Sequence, residues 1–362
     1  MTMRLVVNVG KYLLAVIVLA YLIRSNWNSE VKVKDGQEYV VPGIKEIIGK
    51  PVQAGPLVIA LGAMATGLFL TYYRWYVLVR AHGLPFRVTD AIRLGLMGSF
   101  TSQFLPGSIS GDVVKAAFIA REQDRRQLSV ATVIFDRAIG LLGLCWIVAL
   151  LGAAFWIFGN QTIATRKELQ TIIVFALAIS AASLAFWFFL GLLSSKRADA
   201  LAAKCESIPK LGATLAEFWR AGWIYRCKGS YVFGAVFLAL VSHFFFTVAF
   251  YCAAITFQDA NLIPALGVHF VFFPIGEIIQ TVPFTPGGAG LAEAAYGWLY
   301  GLAGSAIEAG TFTGIVYRLI TWFWAVAGYL IYLTMRPASR VATNELVNPP
   351  LEEPDVEPAQ TV

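Results

Sequence analysis

Residues 98–121 read GSFTSQFLPGSISGDVVKAAFIAR. Apolar sequence lies on both sides, so the run falls where a hydrophobic span is expected. Its centre cannot continue a helix. Pro106 lacks an N–H and clashes with the preceding turn, and Gly107 permits a tight reversal. Ser110 then starts a second helix, with Asp112 in its first turn, where a carboxylate is stabilised by the helix dipole. The stretch therefore reads as helix, reversal, helix. Irregular backbone at membrane depth survives only where protein or a watery cavity surrounds it.

The whole chain supports that setting. Its 362 residues are 58% hydrophobic and 14% charged, with a mean hydropathy of +0.67. Soluble domains carry about 25% charged residues, so the composition indicates a polytopic membrane protein. Full spans are expected at 5–23, 56–80, 128–158, 170–193, 229–257 and 311–335, because about 20 apolar residues cross the hydrocarbon. The first of these lacks a clear small-x-small cleavage site and is read as a retained span rather than a signal peptide. Segments 90–121 and 262–301 are also apolar but are interrupted by Pro and Gly.

Basic residues set the orientation. Arg74, Arg80, Arg87 and Arg93 are read as flanking one loop, and Arg121, Arg125 and Arg126 as marking the next. Lys196, Arg197, Lys204, Lys210, Arg220, Arg226 and Lys228 fill 194–228, and Arg336 and Arg340 follow the last span. The positive-inside rule places these regions in the cytoplasm. Both interrupted segments must then enter and leave on one side, as re-entrant hairpins: 90–121 from the cytoplasm, 262–301 from outside. The fold class is an all-α polytopic membrane protein of about six spans and two hairpins. One transmembrane domain covers 1–336. Both termini are cytoplasmic, in a bacterial or archaeal inner membrane.

Within that domain, loop 24–55 is external, and VKVKDGQEYVV alternates around Asp35-Gly36 as a β-hairpin does. Segment 194–228 reads as an interfacial helix or helix pair carrying Trp219 and Trp223. Residues 337–362 form a Pro- and acid-rich tail expected to be disordered. The net charge of +6 is explained by basic span ends, and nucleic acid is not an expected partner. Cys145, Cys205, Cys227 and Cys252 make no CxxC or Cys/His pattern, so neither a metal nor a disulfide framework is expected. No soluble catalytic motif and no cofactor motif is present.

The interrupted segments repeat. LPGSISGD at 105–112 is answered by TPGGAGLAE at 285–293, with Pro106-Gly107-Ser108 matching Pro286-Gly287-Gly288. Asp112 precedes Arg137 by 25 residues, and Glu293 precedes Arg318 by the same number. TVIFDRAIGLLG at 132–143 aligns with TGIVYRLITWFW at 313–324 through Thr, Ile and Arg. Repeat 1 spans about 5–158 and repeat 2 about 170–335. The charge distribution sets them in opposite orientations, and inverted repeats with broken segments meeting near the midplane mark transporters.

Each polar residue has two readings. Asp112 and Glu293 either compensate a helix dipole or pair with Arg137 and Arg318 in a polar path. The two arginines are either structural ion-pair partners or phosphate ligands, for which the guanidinium fork is suited. Lys115 either pairs with Asp112 or binds substrate. Glu277 is either a buried gating carboxylate or an interfacial one. His243 and His269 fit buried, hydrogen-bonded histidines better than a proton relay. Free N–H groups at the half-helix starts can bind an anion. The candidate substrate-binding set is Ser108, Ser110, Asp112, Lys115, Arg137, Glu277, Gly287, Gly288, Glu293 and Arg318.

FLPGSISGDVVKAAFIARE, VIFDRAIGLL and PFTPGGAGLAEAAY, in that order, resemble the lysylphosphatidylglycerol synthase transmembrane-region family, whose members are flippase-like. The resemblance covers residues 5–335 and implies a polytopic inner-membrane protein that moves aminoacylated phospholipid or serves glycosyltransfer. This chain departs from the family at Ser110, where Gly is frequent, and at Ala292, where Arg is frequent. With no aminoacyl-transferase domain read after the last span, synthase activity is not expected. The expected function is transport of a phospholipid or other lipid-linked anionic headgroup between leaflets, rather than catalysis. The alternatives are a membrane-embedded enzyme or accessory subunit acting on lipid-linked sugars or phosphates, and a non-catalytic scaffold. The partners compatible with these readings are membrane lipids, a lipid-synthesis or glycosyltransferase enzyme, and a second copy of the chain.

Overall fold

The computed structural model describes residues 2–34, 37–105, 109–123, 125–208, 212–258 and 263–335. Pro106, Gly107, Ser108, the Asp35-Gly36 turn, Lys210, Arg336, Arg340 and the tail 337–362 lie outside them.

Five described helices are long and apolar enough to cross a membrane: α3 (Ala54–Ala81), α6 (Arg126–Ile157), α8 (Lys167–Leu192), α11 (Gly229–Ile255) and α14 (Ile307–Thr334). Each overlaps an expected span. At a rise of about 1.5 Å per residue they exceed the roughly 30 Å hydrocarbon core. The expected span 5–23 lies within α1 (Thr2–Ser25), a helix of 24 residues. The two interrupted segments are helical hairpins. The first pairs α4 (Val88–Phe104) with α5 (Ser110–Glu122), and the second pairs α12 (Leu266–Gln280) with α13 (Leu291–Leu302). These four helices have 17, 13, 15 and 12 residues. None reaches the roughly 20 residues of a full span, which is why each turns back on its partner.

The expected hairpin in loop 24–55 is present as two antiparallel strands, β1 (Glu30–Lys34) and β2 (Gln37–Val41), with Glu30 opposite Val41. A short helix follows, α2 (Ile44–Ile48). Asn160 caps α7 (Gln161–Ala164) by accepting from the Ile163 N–H. The basic segment 194–228 is a helix pair, α9 (Ser195–Glu206) and α10 (Gly212–Cys227). The Trp219 indole N–H donates to the Ala198 carbonyl at 2.9 Å, so this tryptophan fastens α10 to α9.

Two large apolar cores hold the bundle, with a smaller cluster of Leu78, Ile139, Tyr225 and Ala239 joining α3, α6, α10 and α11. One joins α3, α11, α12, α13 and α14 around Phe250, Phe272, Phe273 and Tyr300, all fully buried. Its buried histidine is satisfied internally: His269 bonds the Tyr300 hydroxyl at 2.7 Å and the Ala265 carbonyl at 3.0 Å. The other core joins α3, α4, α5, α6 and α10 around Trp75, Leu94, Ile119 and Leu128. The first hairpin closes tightly because Gly111 has no side chain. A Cβ there would collide with the Gly98 carbonyl oxygen and the Ser102 hydroxyl.

Two basic residues differ from the orientation reading. Arg74 and Arg93 are not loop flanks but buried groups, 4% and 3% exposed. Arg74 pairs with Asp136 at 2.7 Å and Arg93 with Glu122 at 2.6 Å. A charge inside a bundle persists when paired and hydrogen-bonded, and each arginine finds its acid on a neighbouring helix rather than in water.

Candidate functional site

The turn of the second hairpin meets the C-terminal end of α4 in the first. Gly287, in the 3-10 turn Pro286–Gly288, lies against Gln103 near the end of α4, where any side chain would meet the Gln103 amide oxygen. α1 crosses both tips: the Tyr12 hydroxyl donates to the Phe104 carbonyl, and Val18 packs on Gly290.

Each tip carries an acid–arginine pair at the spacing seen in the sequence. At the first tip, Asp112 in the first turn of α5 receives Arg137 Nη1 from α6 at 2.7 Å and Lys115 Nζ at 3.0 Å. Lys115 also lies over the Trp75 ring, 5.3 Å from its centroid. At the second tip, Glu293 in the first turn of α13 pairs with Arg318 of α14. Arg318 further donates from Nη1 to the Gly287 carbonyl at 2.9 Å and from Nη2 to the Gly288 carbonyl at 3.2 Å. Glu293 accepts the Gly290 N–H at 2.8 Å and so caps its own helix. Gly290, at φ 85°, holds the left-handed conformation that this start requires.

The pairs have the same form in different settings. The Glu293 and Arg318 side chains are 1% and 7% exposed, against 17% and 27% for Asp112 and Arg137. The second pair is a closed pin: its carboxylate supplies both the cap and the ion pair, and its guanidinium ties down the turn. The first pair opens onto a cavity of about 290 Å³ lined by Asp112, Lys115, Arg137 and Glu277, with the Arg74–Asp136 pair in its wall. A second cavity of about 150 Å³ reaches Arg318 and Tyr296. The two share Gln103, Glu277 and Thr321 in their walls. Glu277 accepts from the Tyr296 hydroxyl at 3.2 Å and lines both cavities.

The remaining candidates divide. Ser110 donates to the Thr101 carbonyl at 2.8 Å and fastens α5 to α4. The Gly287 and Gly288 carbonyls are turned to Arg318. Ser108 lies outside the described residues. Arg74, Asp136, Ser102, Gln103 and Thr281 also line the larger cavity and were absent from the candidate set. Opposite charges at Arg74 and Asp136, each well inside an apolar stretch, were the available signal. His243, also in the wall, bonds the Gly140 carbonyl at 3.0 Å.

Long apolar helices, two broken hairpins and a charged cavity between their tips define a polytopic helical membrane protein with an internal polar compartment. Residues 50–328 match the family model described as the lysylphosphatidylglycerol synthase TM region, and the chain belongs to that family. It is an integral membrane protein of a lipid-related family. No curated protein and no solved structure matches the chain.

Proposed function

We propose that the protein is a flippase-like transporter that carries a phospholipid or other lipid-linked anionic headgroup between leaflets. The observation that carries this reading is the pair of matched acid–arginine bridges, 25 residues apart in each half, beside two cavities that share Gln103, Glu277 and Thr321 in their walls. In this reading the halves are inverted repeats, the hairpins enter from opposite faces, and the membrane is the bacterial or archaeal inner membrane with both termini cytoplasmic.

The headgroup enters the larger cavity beside Arg137 and Lys115 while the acyl chains remain in lipid. A phosphate competes with Asp112 for these two cations, because guanidinium–phosphate contacts are strong and can be bidentate. Asp112 holds the cations in place between passages. Glu277 and Gln103 then lie on the route toward the second cavity. The closed second pin gives the moving headgroup a fixed wall. Membrane lipids are the partners, with a lipid-synthesis or glycosyltransferase enzyme and a second copy of the chain compatible with this role.

The test is a leaflet-resolved assay in proteoliposomes containing a headgroup-labelled anionic phospholipid. Asp112→Asn and Arg137→Ala should each slow transfer about tenfold or more, the effect of losing roughly 1.4 kcal/mol of transition-state stabilisation. Transfer at the wild-type rate by both folded variants would remove the site assignment. A new covalent lipid species formed by the wild type would favour the enzymatic alternative.

A further inference from the structure

A second charged hollow lies at the opposite end of α6 from its loop to α7, away from the central cavity. Its volume is about 540 Å³, and it is lined by Arg125, Arg126, Gln127, Leu128, Arg220 and Ile224, with Glu217 in its wall. A smaller adjoining hollow adds Val130 and Phe218. The floor is therefore apolar and the rim cationic. Arg220 is already engaged, with Glu206 at 2.7 Å and Glu217 at 2.9 Å. Arg125 and Arg126 are exposed and make no ion pair among the described residues.

The described chain ends close by. Tyr332, near the end of α14, packs on the same apolar cluster as Phe218, a cluster to which Leu128 also belongs. The sequence after Met335 includes LEEPDVE at 351–357, with acids at Glu352, Glu353, Asp355 and Glu357, apolar Leu351 and Val356, and no basic residue. Fifteen residues, 336–350, separate Met335 from Leu351, a reach of up to about 50 Å at 3.3 Å per residue, which is ample for a groove on the same end of the bundle.

We propose that residues 351–357 of this chain dock in the groove between α6 and α10. Glu352 and Glu353 meet Arg125 and Arg126, and Leu351 sits on the floor formed by Phe218, Leu128 and Ile224. Sign complementarity, an apolar anchor on each side and the short tether support this occupant over a free lipid headgroup. The inference stands independently of the transport reading.

A photo-reactive benzoylphenylalanine at Gln127 in the full chain, purified in detergent with defined phosphatidylglycerol, tests it. Mass spectrometry should find a crosslinked peptide from residues 341–362. Arg125→Glu with Arg126→Glu should abolish that product, and adding Glu352→Arg with Glu353→Arg should restore it. High salt should also reduce it, since exposed ion pairs are screened. Crosslinks to lipid alone, to a second copy's tail alone in mixed-label samples, or a tail crosslink unchanged by the arginine reversal would each overturn the proposal.

Discussion

Removing the Arg318 guanidinium would leave Glu293, which is 0% exposed, without its countercharge, and would free the Gly287 and Gly288 carbonyls. Breaking a buried ion pair by deleting one partner costs about 3–5 kcal/mol. Arg318→Ala should therefore lower the thermal unfolding midpoint in detergent sharply. Arg137→Ala should lower it only slightly, because Asp112 keeps Lys115 at 3.0 Å and partly exposed pairs contribute at most about 1 kcal/mol. Equal shifts for the two variants would contradict the assignment of one pair as a pin and the other as a working site. The equal 25-residue spacing was legible in the chain, and the pairing was one of the two readings that it left open. The inequality was not. It depends on how deeply each tip is buried and on which backbone carbonyls face each arginine, and neither follows from spacing. Arg74 shows the same limit. Its nearness to Arg80 and Arg87 suggested a loop, whereas its partner Asp136 lies 62 residues away.

His82 follows α3 and packs edge-on against Tyr225 of α10 with ring centroids 4.4 Å apart. Burial, with Lys228 and Arg125 nearby, pushes its imidazole down to about 4 from an ordinary 6.5. The folded protein therefore favours neutral His82, while the unfolded chain takes up the proton near 6.5. Between those values the unfolded state binds more protons, so stability rises with pH there. This contribution is complete above pH 6.5 and is lost as pH falls toward 4. Melting curves between those limits should drop more steeply for the wild type than for His82→Gln, and parallel curves would contradict the account.

At the scale of elements, the first hairpin depends on contact between α4 and α5 at Gly111. Gly111→Val would place a branched side chain against the Gly98 carbonyl and Ser102. Overpacking of this kind costs about 1–3 kcal/mol and should spread the two half-helices. The expected result is a lower melting midpoint together with slower lipid transfer, while Gly55→Val, where a Cβ meets nothing within 4 Å, should alter neither beyond its helix propensity. The hairpins were readable because Pro and Gly interrupt long apolar stretches and because each arm is too short to span. The packing of α1 across both tips was not, since its apolar run carries no periodic mark of the surface that it covers.

For the whole molecule, the proposed transport requires two hairpins that enter from opposite faces around a polar interior. The composition and broken segments identified a membrane bundle, and the family match over 50–328 agrees with it. Charge distribution alone assigns the faces, and it does so imperfectly, because Arg74 and Arg93 are buried. Cysteine accessibility at the hairpin bases addresses this most directly. Exposed Cys227 and partly exposed Cys205 are first replaced by serine, and a single cysteine is placed at Arg121, in the last turn of α5, or at Leu266, which begins α12 and is 40% exposed. With a membrane-impermeant maleimide on intact spheroplasts, the Leu266→Cys protein should label at once and the Arg121→Cys protein only after permeabilisation. Labelling of both from the same face would contradict the inverted arrangement on which the transport reading depends.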